Sequence, residues 1–426
     1  MKRTTSRRAF IAAAVTSGVA VAGCSQLQGS TDGNETSATS PTDDGSGTPN
    51  GGGTETQDYH YTDRGSVLDD FEDLSNWGTI RGTQIAETND VYKGDQSVRV
   101  KNPSGGGAGI FRAFPDGLDL TDQDLSIAGK LESPRPGKLA VEVIAPARSD
   151  HLVCRRYIPD TMDDWMRIDL GYTGKRGEPD LSNVQEIRLI VLSDDEPINF
   201  VVDDLRTIPK PVDSGRVLLS FNNVRASHYD IAFQELQRRG WSAMETVDPD
   251  EVNSNNALTT GQLREMRDAG WDITSLPSPN TPLPELSTKE QRRVIKDTKE
   301  YLDLKGFTDG KQFMTIDSDK FDRETLQVIR DHHEYGFTFG ASPNTVPPVE
   351  NATVSQVYGN DLNGSARMIN LAAQYNQLAV ITFPDIGPNS PVPESEFMQL
   401  MNIIEDWGDN LQVVTPSDLL EMEQNL

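Results

Sequence analysis

Two periodicities divide the chain. From residue 61 to 208, short runs of strand length either alternate apolar with polar positions or are apolar throughout: SVRVKN (97–102), KLAVEVIA (138–145), WMRIDLGY (165–172), EIRLIVLS (186–193) and NFVVDDLRTI (199–208). Clusters of Gly, Pro and Asp separate them and no amphipathic helix intervenes, which predicts an all-β sandwich. From residue 215 to 426, such runs alternate with segments of helical period. RVLLSF (216–221), WSAMETV (241–247), WDITSL (271–276), KQFMTI (311–316), FTFGA (337–341), LAVITF (378–383) and LQVVT (411–415) read as strands. Helices are predicted over 228–240, 258–270, 287–305, 322–336, 363–377 and 394–408, with one more closing the chain. In the helix over 394–408, Phe397, Leu400, Met401, Ile404 and Trp407 fall on one face. Repeated βα units predict a parallel barrel or sheet with its ligand site at the C-terminal strand ends.

The first 57 residues have neither pattern. Ser6-Arg7-Arg8-Ala9-Phe10 resembles a twin-arginine export signal, and Val21-Ala22-Gly23-Cys24 resembles a lipobox. Together, residues 1–24 read as an address: export of a folded protein, cleavage before Cys24 and lipid attachment to its thiol. Residues 25–57 are Ser, Thr, Gly, Asp and Pro with almost nothing apolar, so they are expected to be a disordered tether. This predicts a protein anchored by lipid to the extracellular face of a membrane. The other cysteine, Cys154, is expected to be a buried thiol.

Charge narrows the partners. The formal net charge is -27, and the basic residues of the leader (Lys2, Arg3, Arg7, Arg8) leave the rest more acidic still. That argues against nucleic acid as a partner and fits solubility at high salt, as in a haloarchaeal protein; an ordinary acidic secreted protein is the alternative. No Gly-rich phosphate loop and no Gly-x-Ser-x-Gly elbow occurs, so nucleotide binding and serine-esterase chemistry lack support.

The first region resembles jelly-roll carbohydrate-binding modules in its opening VLDDFEDLSNW (67–77), its DQSVRV strand and its closing FVVDDLRTI. The resemblance implies a structural calcium, for which Asp70, Glu72 and Asp204 are the nearest positions; acids of an acidic surface are the alternative. Candidates for stacking on sugar rings are Trp77, Trp165, Tyr157 and Tyr172, with Trp165 fitting the core better.

The second region is similar to the polysaccharide deacetylases, which have a deformed (β/α) barrel and a metal-dependent site. The family's Phe-Asp-Asp-Gly strand end stands here as Phe221-Asn222-Asn223-Val224. Its Gly-x-Glu-Ile segment stands as Gly270-Trp271-Asp272-Ile273, and its His-x-x-x-His pair falls on Leu276 and Asn280. Its late His-Asp falls on Pro384 and Asp385, and the middle strand FMTI (313–316) lacks the family's proline. The resemblance implies that base, metal-ligand and acid positions are all replaced. An amide cannot act as a carboxylate base, leucine cannot bind a metal and proline cannot donate a proton, so no cofactor is expected in the barrel. The expectation is a degenerate barrel that binds glycan or envelope polysaccharide through Asn222, Asn223, Asn280 and Asp385. Two alternatives stand: an active metal-dependent deacetylase with substitute ligands drawn from His228, Asp272, Asp317 and Asp385, and a structural surface protein without ligand. The His332-His333 pair lies late in a helix, away from strand ends.

Overall fold

The structure is a computed structural model that describes residues 64–279, 281–316 and 319–426. The export and lipid signals with Cys24, the tether, Asn280 and Asp317 lie outside the described residues.

Twelve strands precede the barrel: β1 (Ser66–Asp69), β2 (Trp77–Arg81), β3 (Thr83–Glu87), β4 (Ser97–Asn102), β5 (Ala108–Leu118), β6 (Gln123–Ser133), β7 (Gly137–Ile144), β8 (His151–Ile158), β9 (Met166–Asp169), β10 (Tyr172–Arg176), β11 (Val184–Val191) and β12 (Ile198–Pro209). They form two antiparallel six-stranded sheets. One has the order β3-β4-β12-β6-β9 with β1 added on β12, and the other runs β10-β8-β7-β11-β5-β2. The strand alternation puts Val98, Val100, Ile127, Val141, Val143, Leu189, Phe200 and Val202 in a shared apolar core. Cys154 is buried and free. Its Sγ approaches Leu170 O at 3.0 Å, and burial pushes the thiol well above its ordinary pKa.

Eight parallel strands follow, most of them separated by helices: β13 (Gly215–Asn222), α1 (Gln234–Arg239), β14 (Met244–Val247), α2 (Thr260–Asp268), β15 (Asp272–Ser275), α3 (Thr288–Lys305), β16 (Phe313–Thr315), α4 (Arg323–His332), β17 (Tyr335–Phe339), β18 (Val354–Tyr358), α5 (Leu362–Tyr375), β19 (Leu378–Phe383), α6 (Glu394–Asp406), β20 (Leu411–Val413) and α7 (Pro416–Gln424). Neighbours run β14-β15-β16-β17-β18-β19-β13, and β13 closes back on β14, giving a seven-stranded barrel with β20 attached outside the closure. Closure uses the two halves of β13 differently: Gly215–Val217 pairs with β20, and Ser220–Asn222 pairs with Met244–Thr246 of β14. Capping boxes start α2 (Thr259, Gln262), α3 (Ser287, Glu290) and α7 (Thr415, Asp418), and Gly306 ends α3 in the left-handed conformation that a side chain would disfavour. The strand β18 was not anticipated from the sequence, and the predicted strand over 165–172 is split between β9 and β10.

All described residues belong to one compact unit. Between sandwich and barrel runs a polar seam. Gln377 bridges it, accepting from Tyr172 N at 2.8 Å and donating to Asp124 at 2.7 Å. The buried Arg156 donates to Thr353 O, and Asp169 accepts from Val349 N. The approach is close enough that a Cβ on Gly171 would fall 2.0 Å from Pro343 O. Desolvation pushes both Asp124 and Asp169 up to about 6.

Candidate functional site

At the C-terminal ends of the barrel strands lies a cleft of about 200 Å³, lined by Asn222, Asn223, Leu276, Thr315, Ile316, Asp319, Phe339, Gln356, Tyr358, Thr382 and Pro384. Five of the barrel's strands, β13, β16, β17, β18 and β19, contribute side chains directly, and Leu276 follows β15. The structure therefore brings Asn222, Asn223, Leu276 and Pro384 together, as their sequence positions suggest.

Asn222 ends β13, and two hydroxyls saturate its Oδ1: Ser220 Oγ and Thr246 Oγ1 each donate at 3.1 Å. Its amide NH2 has no protein partner among the described residues. The chain then turns through two consecutive left-handed residues, Asn223 (φ 76°) and Val224 (φ 46°). Asparagine tolerates this conformation, but a β-branched valine is strained there. What holds the turn is Glu245 of β14, fully buried, which accepts from Val224 N at 3.1 Å. The same carboxylate faces His228 Nδ1, 3.0 Å from both oxygens, and both side chains are fully enclosed. Burial raises the Glu245 pKa, opposed by His228 and by the Val224 N–H. His228 thus sits behind the turn, at the start of a π-helical turn (His228–Phe233), and its ring packs on Phe221.

Deeper in, the cleft is lined by hydroxyls. Thr315 and Thr382 are 3% and 2% exposed, and neither Oγ1 has a hydrogen-bond partner among the described residues. One side is aromatic: Phe339 and Tyr358 stack at 4.7 Å with a 20° interplanar angle, and Tyr358 keeps 38% of its surface exposed. Tyr358 Oη donates to Asp319 at 2.6 Å. Thr315, Asp319, Phe339, Gln356, Tyr358 and Thr382 were not singled out from the sequence. Thr382 is adjacent to the late-strand motif and could have been found there. Gln356 and Tyr358 lie on β18, whose five residues are bounded by a proline-rich turn.

The remaining sequence candidates scatter. Asp385 is turned into its own loop, accepting from Ser227 Oγ at 2.5 Å, Ser390 Oγ at 2.8 Å and Ile386 N at 3.0 Å. Burial acts against ionisation there, yet these donors hold its carboxyl below the ordinary range. Asp272 sits at the opposite end of the barrel, at the start of β15, where it accepts from Ser417 N and Oγ at 2.8 Å. His333 is buried and depressed to about 3 by desolvation. Among the described residues no group of three or more His, Cys, Asp and Glu side chains could hold a metal ion. The described lining of the cleft offers amides, hydroxyls and a single carboxylate, Asp319, already bonded to Tyr358. That donor set does not fit the metal of a deacetylase.

In the sandwich, Asp204 Oδ2 accepts from Arg167 at 2.6 Å and Arg206 at 2.8 Å. Asp70 and Glu72 lie apart from it in function, accepting backbone N–H groups of Glu72 and of Asp95 and Gln96. Of the four aromatic candidates, Trp77, Trp165 and Tyr172 are buried in the fold. Trp77 donates to Asp69 and Trp165 to Asp90. Trp77 and Tyr172 are therefore corrected to core residues, and Trp165 lies in the core as expected. Tyr157 is partly exposed, and its ring meets Phe339 at 5.4 Å.

No family model matches this chain, and no curated protein matches it. Solved structures resemble parts of it. The family 11 carbohydrate-binding module of the cellulosomal cellulase Lic26A-Cel5E of Clostridium thermocellum is 19% identical, covering 34% of this chain and 94% of that one, with a TM-score of 0.28. The Xyl-CE4 domain of a multidomain xylanase from the hindgut metagenome of Trinervitermes trinervoides is 14% identical over 50% of this chain and 92% of that one, TM-score 0.36. A family 4 carbohydrate esterase from Streptomyces lividans is 13% identical over 47% and 93%, TM-score 0.35.

Proposed function

We propose that this protein binds a carbohydrate at the barrel cleft and does not hydrolyse it. The observation that carries this reading is the pair of buried hydroxyls of Thr315 and Thr382, without partners among the described residues, lining a cleft beside the Asn222 amide NH2, which has none there either. A buried polar group without a partner costs about 1–3 kcal/mol, and a ligand that both donates and accepts would recover that cost. Sugar hydroxyls do both. The exposed Tyr358 ring offers a surface for the apolar face of a pyranose. A hydrolytic step would need a base and a polarised carbonyl; Asn222 supplies neither. The sandwich, read as a jelly-roll carbohydrate-binding module, extends the same role. The signals of residues 1–24 support display of the protein on a lipid anchor at the extracellular face of the membrane.

The test is made on the full chain. Calorimetric titration with neutral oligosaccharides is expected to show binding that Thr382→Val and Asn222→Ala weaken, with no acetate released from acetylated chitooligosaccharides. Stoichiometric zinc, cobalt or nickel together with released acetate would replace this reading with an active deacetylase. Absence of binding to any glycan would leave a structural surface protein.

A further inference from the structure

The Phe339–Tyr358 stack has a second side. There, a cleft of about 370 Å³ opens between barrel and sandwich, sharing both rings with the first cleft. It is lined by Lys138 of β7, Arg155 of β8, Thr173 of β10 and Arg367 of α5. Strand register explains the convergence. Lys138 pairs across from Tyr157 and Ala140 from Arg155, so both cations project from the same face of the second sheet, at the end that meets the barrel. Arg367 joins them from α5, its Nε donating to Thr173 O at 3.2 Å.

Many of the cations in this acidic chain are paired with carboxylates. Lys138, Arg155 and Arg367 are exposed, and among the described residues none makes an ion pair. The one carboxylate lining the cleft, Asp361, is occupied in capping α5, accepting from Gly364 N at 3.0 Å. With Asp361 counted, three cations against one carboxylate still leave the lining of this concavity net positive, within a chain of net charge -27, a local potential that favours an anion.

We propose that this second cleft binds an anionic group carried on sugar, a carboxylate or a sulfate ester, so that the ligand is an acidic polysaccharide lying across both clefts. The inference builds on the reading of the barrel cleft as a sugar site. Tyr157, Phe339 and Tyr358 form a continuous ring ladder from sandwich to barrel. One chain of sugars can follow it, hydroxyls toward Thr315 and Thr382 and acid groups toward Lys138, Arg155 and Arg367.

The experiment compares three probes by titration of the full chain at low salt: an oligogalacturonate, a sulfated oligosaccharide and a neutral oligosaccharide of the same length. The acidic probes are expected to bind about tenfold tighter than the neutral one, as one charged hydrogen bond provides, and the tighter of the two names the acid group. Lys138→Gln with Arg155→Gln is expected to abolish that advantage while leaving neutral binding and the melting temperature unchanged. Lys138→Arg with Arg155→Lys is expected to retain it. Equal affinities, or an advantage that survives in the glutamine variant, would overturn the proposal, as would failure of all three probes to bind. Acid-probe binding that depends on Lys138 and Arg155, with no neutral binding, would uphold the cationic cleft and discard the barrel reading.

Discussion

In the sandwich, the charged groups around Asp69, Asp204 and Arg99 come already matched. Asp204 lies between Arg167 and Arg206, Asp69 takes the Trp77 indole and Arg112, and Arg99 reaches Glu87, Asp90 and Glu132. At the barrel mouth, Thr315 and Thr382 are equally buried, and among the described residues their hydroxyls have no partner. Both regions sit at strand positions where a motif suggested a site. The difference teaches that residue type marks a candidate, whereas the state of its partners decides whether anything remains to bind. Asp204 Oδ2 is already shared by two guanidiniums, while two threonines that no motif singled out have hydroxyls with no partner among the described residues.

The strongest way to break this comparison is Asp204→Ala. It removes the carboxylate that the buried Arg167 and Arg206 share and is expected to cost about 3–5 kcal/mol in urea unfolding, equally with calcium and with chelator. A calcium-dependent loss would show that the acid serves a metal. Next in size is Asp124→Asn at the seam. The folded Asp124 holds its proton up to about 6, above its unfolded value. Its stability contribution is therefore fully present below the unfolded pKa and lost as pH rises through about 6. Relative to wild type, the variant should gain on the order of 1–3 kcal/mol between pH 4 and 6 and no more above pH 7. A flat difference across that range would sink the assignment.

Thr382→Val sharpens the other side. Removing a hydroxyl that has no partner is expected to change stability by less than about 1 kcal/mol while lowering glycan affinity about tenfold. A large stability loss instead would mean that the hydroxyl serves the fold. Smallest of all, Asp70→Asn removes the charge of an exposed acceptor of a single backbone N–H, and unfolding should move by no more than about 0.5 kcal/mol.

The sequence made the architecture legible where buried positions are apolar. The run over 378–383 coincides with β19, buried along its whole length, the strand over 97–102 with β4, and the amphipathic face over 394–408 with α6, because short apolar runs and a 3.6-residue apolar face both mark burial. It failed where the interior is polar. In β18, Val354 and Val357 flank Ser355 and Gln356, both buried, so the apolar run that marks a parallel strand is broken. The site was half legible for the same reason. Asn222, Asn223, Leu276 and Pro384 stood out against a family pattern, but the threonines and β18 residues that complete the cleft carry no motif. Trp77 and Tyr172 misled because an aromatic ring suits a core as well as a platform, and only packing tells them apart.

The seam has a consequence for modularity. A sandwich and a barrel joined in one chain are easily pictured as detachable cassettes. Here, severing the chain near Asp213 would strand Arg156, Asp169 and the Tyr172 N–H without Thr353, Val349 and Gln377, and would uncover the close approach of Gly171 to Pro343. Each half supplies hydrogen-bond partners that buried groups of the other require, so a change on one side of the seam is felt on the other.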